Sequence, residues 1–70
     1  MNTEIIKEEI EKHLNERVKI TVNGLRNKTN TYIGTLSSTY PYIFTVLVDG
    51  DNKSFSYADV ITKEVEIRYL

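Results

Sequence analysis

Arg17-Val18-Lys19-Ile20-Thr21-Val22-Asn23-Gly24 is the stretch that decides the fold class. Val18, Ile20 and Val22 alternate with Arg17, Lys19 and Thr21, the period of a strand with one buried and one solvated face. Asn23-Gly24 then signals a turn, and the polar run to Asn30 predicts a hairpin loop longer than two residues. On the N-terminal side the period is helical. Ile6, Ile10 and Leu14 recur every fourth residue with Ile5 beside them, which predicts a helix over residues 4–14. Asn2 or Thr3 is its expected N-cap and Asn15 its expected stop. A helix of about eleven residues is marginal alone in water, so this one must lean on the β structure that follows.

Beyond the loop, Tyr32, Gly34 and Leu36 share one face of a second strand. A glycine in mid-strand predicts a sharp bend or a close backbone approach, the device by which small barrels curve. Tyr40-Pro41 interrupts the ladder, because proline has no N–H to donate and holds Tyr40 extended. Tyr42 to Val48 reads as a third strand with two apolar faces, which places it in the sheet centre or across a subunit boundary. Asp49-Gly50-Asp51-Asn52 is a turn by composition. Phe55 and Tyr57 alternate in a short fourth strand, Ala58-Asp59-Val60 reads as a single 3₁₀ turn, and Val65, Ile67 and Tyr69 form the last strand. Glu64, Glu66 and Arg68 point outward from it. The expectation is one domain over residues 1–70: mainly β, a five-stranded SH3-like or Sm-like small barrel preceded by one N-terminal α-helix. The short connections favour that architecture over the OB type.

Composition narrows the function by exclusion. The 70 residues contain no cysteine, which removes disulfides, thiolate metal sites and a cysteine nucleophile together. The lone His13 cannot supply a four-ligand zinc site, and it is expected to pack against the barrel or the helix end. The only glycines, Gly24, Gly34 and Gly50, form no phosphate-binding motif. Asp49, Asp51 and Asn52 lack the glutamate that closes a calcium loop. No catalytic residue, metal site or cofactor is therefore expected, and no enzymatic activity. Apolar runs are short and the acidic N-terminus does not look like a signal peptide, so no membrane association and a cytoplasmic location are expected.

The formal net charge of −1 conceals a segregation. Residues 1–16 carry two bases and five acids, whereas residues 17–47 carry Arg17, Lys19, Arg26 and Lys28 and no acid at all. Those four bases are the candidate binding residues, for a protein partner or for nucleic acid. Arg26 and Lys28 stand out because they sit in an irregular loop, where function concentrates. Tyr32 and Tyr42 are candidate stacking platforms, since barrels that bind single strands combine a cationic groove with aromatics. A pI near 5.7 is low for a nucleic-acid binder.

Four segments carry a resemblance. They are Gly24-Leu25-Arg26-Asn27-Lys28-Thr29, then Gly34-Thr35-Leu36, then Thr39-Tyr40-Pro41-Tyr42-Ile43-Phe44-Thr45-Val46, then Ser54-Phe55-Ser56-Tyr57-Ala58-Asp59-Val60-Ile61-Thr62. In this order and spacing the chain resembles the Veg family from about Ile5 to Leu70, with Thr-Tyr-Pro-x-x-Phe and Ser-Tyr-Ala-Asp-Val the most specific pieces. The resemblance implies an SH3/Sm-type barrel with an N-terminal helix. It also implies a cytoplasmic regulator that stimulates biofilm formation by opposing a repressor of extracellular-matrix genes, and so acts on transcription through a protein partner. Within the motifs, Gly34, Tyr40, Pro41, Phe44, Tyr57 and Asp59 are expected to be structural. Tyr40-Pro41 would set the entry into the third strand, and Tyr57-Ala58-Asp59 would cap the turn before the fifth.

Three readings follow. The first is a non-enzymatic regulatory module whose Arg17, Lys19, Arg26 and Lys28 face touches an acidic protein, a transcriptional regulator being the implied partner. The second is a nucleic-acid binder using the same bases with Tyr32 or Tyr42. The third is a structural homo-oligomer, a homodimer in the simplest case, in which the third strand pairs with its copy across an edge.

Overall fold

The structure is a computed structural model that describes residues 3–24 and 28–70. In chain order the elements are α1 (Thr3–Glu11), β1 (Arg17–Asn23), β2 (Thr29–Thr39), β3 (Ile43–Val48), β4 (Asp51–Ser56), α2 (Tyr57–Ile61) and β5 (Val65–Tyr69). The strands form one antiparallel sheet in the order β4-β3-β2-β1-β5. The alternation read in residues 17–22 is realised, with Val18 and Ile20 fully buried and Arg17 exposed.

The expected barrel is not closed. β4 and β5 are the two edges and do not pair, because the chain between them is taken up by α2, which packs against both strands and against α1. The sheet still bends, by the means anticipated at Gly34. A Cβ on that residue would lie 2.2 Å from the Leu47 carbonyl oxygen and 2.9 Å from Val48 Cγ2, so the third strand approaches as only glycine allows. A bulge between Leu36 and Ser38 adds curvature just beyond it. Asn15 N–H donates to Leu36 O at 2.8 Å and Leu36 N–H to Glu16 O at 3.0 Å, tying the exit of α1 to the bulge.

The core is Ile10, Val18, Ile20, Leu36, Phe44, Val46, Val48, Tyr57 and Val65. Its aromatic part is continuous: ring centroids are 6.2 Å apart for Tyr32–Phe55, 5.7 Å for Phe55–Phe44 and 5.7 Å for Phe44–Tyr57. Tyr57 O–H donates to Tyr40 O at 2.7 Å, which fastens the Tyr40-Pro41 bend to the start of α2. The Tyr57 ring at the same time packs on Phe44. Burial raises the Tyr57 phenol above the ordinary tyrosine value of 10.0.

Several boundaries differ from expectation for local reasons. α1 stops at Glu11 rather than at 14, because its last turn tightens: His13 N–H bonds Ile10 O at 2.9 Å, and the chain turns through Asn15 at φ 71°. Thr3 is already helical rather than a cap, and Asn2 lies outside the described residues. His13 packs as expected, stacking on Tyr69 at 3.9 Å between centroids, with Glu16 3.0 Å and Glu9 3.6 Å from its ring nitrogens. β3 begins at Ile43, leaving Tyr42 in the bend. The following turn is two residues, Asp49 at φ 51° and Gly50 at φ 85°, so Asp51 and Asn52 belong to β4.

Tyr57 is not in the fourth strand, and the 3₁₀ turn is a five-residue α-helix. Ser56 Oγ accepts from Ala58 N–H at 3.1 Å and Asp59 N–H at 3.4 Å, so Ser56, not Asp59, caps it. β3 lies between β2 and β4, second from the edge. It has no free side, so the pairing of this strand with a copy of itself is not available to it.

A cationic outer face as the candidate interaction site

Register decides which bases meet. Arg17 and Lys19 are two apart on β1 and share its outward side, opposite Val18 and Ile20. β5 runs beside β1 with Lys19 opposite Arg68 and Thr21 opposite Glu66. On the other side, Arg17 is opposite Thr35 and Lys19 opposite Ile33, while Thr35 is in turn opposite Leu47. The outer face therefore presents Arg17, Lys19 and Arg68 as one cluster, flanked by Ile33 and Leu47, which are 48% and 42% exposed. A surface hollow of 380 Å³ lies here, lined by Lys19, Thr21, Glu66, Ile67 and Arg68.

The electrostatics of the cluster are one-sided. Among the described residues no acid lies within salt-bridge distance of Arg17, Lys19 or Arg68; the ion pairs found are those of His13. Glu66 is the near carboxylate on this face, and Asn23 holds it, with Nδ2 3.1 Å from Oε2 while the same amide donates to Lys63 O at 2.8 Å. Arg17 and Lys19 on one strand and Arg68 opposite Lys19 on the next outnumber Glu66 on this face, which biases its field toward negative charge. Among the described residues the acidic helix α1 makes no salt bridge with these side chains.

The remaining predicted residues fall elsewhere. Lys28 is exposed at the far end of the hairpin, where Gly24 N–H donates to its carbonyl at 2.7 Å. Five residues of strand separate that position from Lys19, about 17 Å along β1, so Lys28 is not part of the cluster. Arg26 lies outside the described residues. Tyr32 faces the core side, packed on Phe55 with Lys53 Nζ 5.1 Å from its ring centroid, so it is on the opposite side of the sheet from the cations. Tyr42 is 82% exposed in the bend before β3. Arg68 completes the cluster and was not among the predicted site residues. Its alternation put it outward, but only the pairing of the first strand with the last brings it beside Lys19.

Among the described residues no group of three or more His, Cys, Asp or Glu side chains is placed to hold a metal ion, and no helix is long and apolar enough to cross a membrane. An open five-stranded sheet backed by two helices, with a cationic cluster on its free face, defines a small β-rich domain with a surface suited to contact. The family model described as biofilm formation stimulator VEG matches residues 2–68, and the chain belongs to that family. A comparison with curated proteins finds no match.

Proposed function

We propose that this biofilm-related protein is a non-enzymatic cytoplasmic module that binds an acidic surface of a protein partner, and through that partner changes transcription of matrix genes. The observation that carries the reading is the Arg17, Lys19 and Arg68 cluster, which has no acid of its own chain within salt-bridge distance among the described residues. Exposed Ile33 and Leu47 next to it supply apolar contact area, which a protein surface uses and a phosphate backbone does not. The half-buried Tyr32 lies across the sheet from the cations, so a cationic groove lined by stacking rings does not form there.

The test is the triple variant Arg17→Glu/Lys19→Glu/Arg68→Glu, first shown to be folded by circular dichroism. It is titrated with labelled polyglutamate, single-stranded RNA and DNA, and duplex DNA, at low and at physiological salt. In cells carrying it in place of the native protein, biofilm mass and matrix transcripts are measured. Loss of polyglutamate binding together with loss of both cellular readouts is the expected result. Unchanged biofilm and transcripts would overturn the reading. Saturable nucleic-acid binding at physiological salt, abolished in the variant, would replace it with direct nucleic-acid recognition.

A further inference from the structure

The cluster lies beside an open sheet edge, and the two features share β5. Leu70 N–H donates to Arg17 O at 3.0 Å and Asn23 N–H to Glu64 O at 2.8 Å. In an antiparallel ladder hydrogen-bonded pairs alternate with non-bonded ones, so Lys19/Arg68 and Thr21/Glu66 are also bonded pairs. Glu64, Glu66, Arg68 and Leu70 therefore spend their main-chain groups on β1. Ile67 and Tyr69 direct theirs away from the sheet, where no strand follows. Val65 does the same but is buried. Ile67 also lines the outer hollow, beside Lys19 and Arg68.

Free edges are commonly blunted by proline, a bulge or an inward-pointing charge. β5, Val65-Glu66-Ile67-Arg68-Tyr69, is short, carries Glu66 and Arg68 and is packed by α2, but it has no proline, bulge or inward-pointing charge. The other edge, β4, has its free main-chain positions at Asn52 and Ser54 with no cation beside them, and its one lysine, Lys53, lies over Tyr32. Among the described residues only β5 joins an open edge to the cationic cluster.

We infer that the partner is bound as an acidic segment in extended conformation, which adds to β5 as a sixth strand. This rests on the acidic-partner reading and specifies its mode. Main-chain bonds to Ile67 and Tyr69 fix the segment, and side chains on its outward face are read by the cations. The residue opposite Arg68 falls in a non-hydrogen-bonded pair, where opposing side chains come closest, so an aspartate or glutamate is favoured there. Glu66, two residues away, disfavours a second acid at the next outward position, so the segment alternates acidic with neutral or basic residues along that face. Apolar residues on its other face continue the row of Ile67 and Tyr69.

The test uses the full chain, made by chemical synthesis so that Ile67 can carry a backbone N-methyl group. The probe is a fluorescein-labelled octapeptide in which valine alternates with glutamate and threonine in turn; a control has lysine for glutamate. Anisotropy gives affinity, and NMR amide exchange reads individual positions. Three results are expected together: binding of the glutamate peptide but not of the lysine control, slowed exchange at Ile67 and Tyr69, and about tenfold weaker binding to the N-methyl protein, the size of one lost hydrogen bond. Binding that is lost in Arg17→Glu/Lys19→Glu/Arg68→Glu but indifferent to the N-methyl group, without slowed exchange, would overturn strand addition and leave the acidic-partner reading standing. Absence of peptide binding to a protein that still binds polyglutamate would overturn it equally.

Discussion

The two faces of this sheet are built from the same strands and do opposite work. β1 sends Val18 and Ile20 inward to full burial and Arg17 and Lys19 outward. β3 sends Phe44, Val46 and Val48 inward and leaves Ile43 and Leu47 exposed. The inner face is complete: helices cover it, its aromatics form a chain, and among the described residues no buried side-chain polar atom lacks a partner. The outer face is incomplete. Among the described residues its cations form no salt bridge although Glu66 stands nearby, Ile33 and Leu47 are exposed, and the face ends at an open edge. The difference separates what holds the fold from what is free to bind, so substitutions on the two faces should be distinguishable by which measurement they move.

The inner face should fail first. Phe44→Ala removes the ring that links Phe55 to Tyr57, and a truncation of this kind costs about 3–5 kcal/mol. For a domain this small that is a large share of total stability, so loss of a cooperative thermal transition is expected. Gly34→Ala should cost less, about 1–3 kcal/mol, because it overpacks rather than empties. Its Cβ would meet the backbone oxygen of Leu47, which cannot yield without moving β3. A lowered urea midpoint measures it, and a midpoint equal to that of the native protein would mean that β2 and β3 slide apart freely.

How much of this was legible follows the range of the interaction. The alternation in residues 17–22 was readable because it is settled within a few residues of its own position, whereas the helix ends at Glu11, short of the stop expected at Asn15. Gly34 was readable as a close approach, though not what approached it. Closure was misjudged for a long-range reason: strand number and spacing do not say whether β4 meets β5, and the insertion of α2 decides it. Ser56 is not legible as a cap because the alternation of Phe55 and Tyr57 runs across it and breaks only at Ala58, inside the helix that begins at Tyr57. The site was half legible. Arg17 and Lys19 were found from one strand, whereas Arg68 needed the register of β1 against β5, which joins residues about fifty apart and leaves no local mark.

Smaller effects sharpen the contrast at the place where α2 joins the inner face. Ser56→Ala removes the oxygen that receives two amides of α2, and a lost N-cap costs about 1 kcal/mol. The same region gives the fold an alkaline limit. Burial raises the phenols of Tyr57 and Tyr69 above 10.0, and Glu9 and then Glu16 add to the shift at Tyr69. A raised acid pKa favours the neutral form in the folded state, so its contribution is fully present below pH 10 and is lost as pH rises through the folded values. Denaturant midpoints should therefore fall above that pH, and Tyr57→Phe/Tyr69→Phe should flatten the decline. A decline of the same steepness in the double variant would place the sensitive groups elsewhere.

The smallest stability change is expected where the binding change is greatest. Among the described residues, replacing Arg17, Lys19 or Arg68 singly by serine removes no ion pair and no buried side chain. Each should stay within about 0.5 kcal/mol of the native protein in urea unfolding. A slight gain is even favoured for Lys19→Ser or Arg68→Ser, because the two like charges are directly opposed across β1 and β5 and disfavour the folded state. Polyglutamate binding by the same variants should weaken in each case, with a shallower dependence on salt as one cation is removed. If any of the three proves strongly destabilising, its charge is paired in the working protein. The outer face would then belong to the fold in the way the inner face does, and the separation between the two would no longer hold.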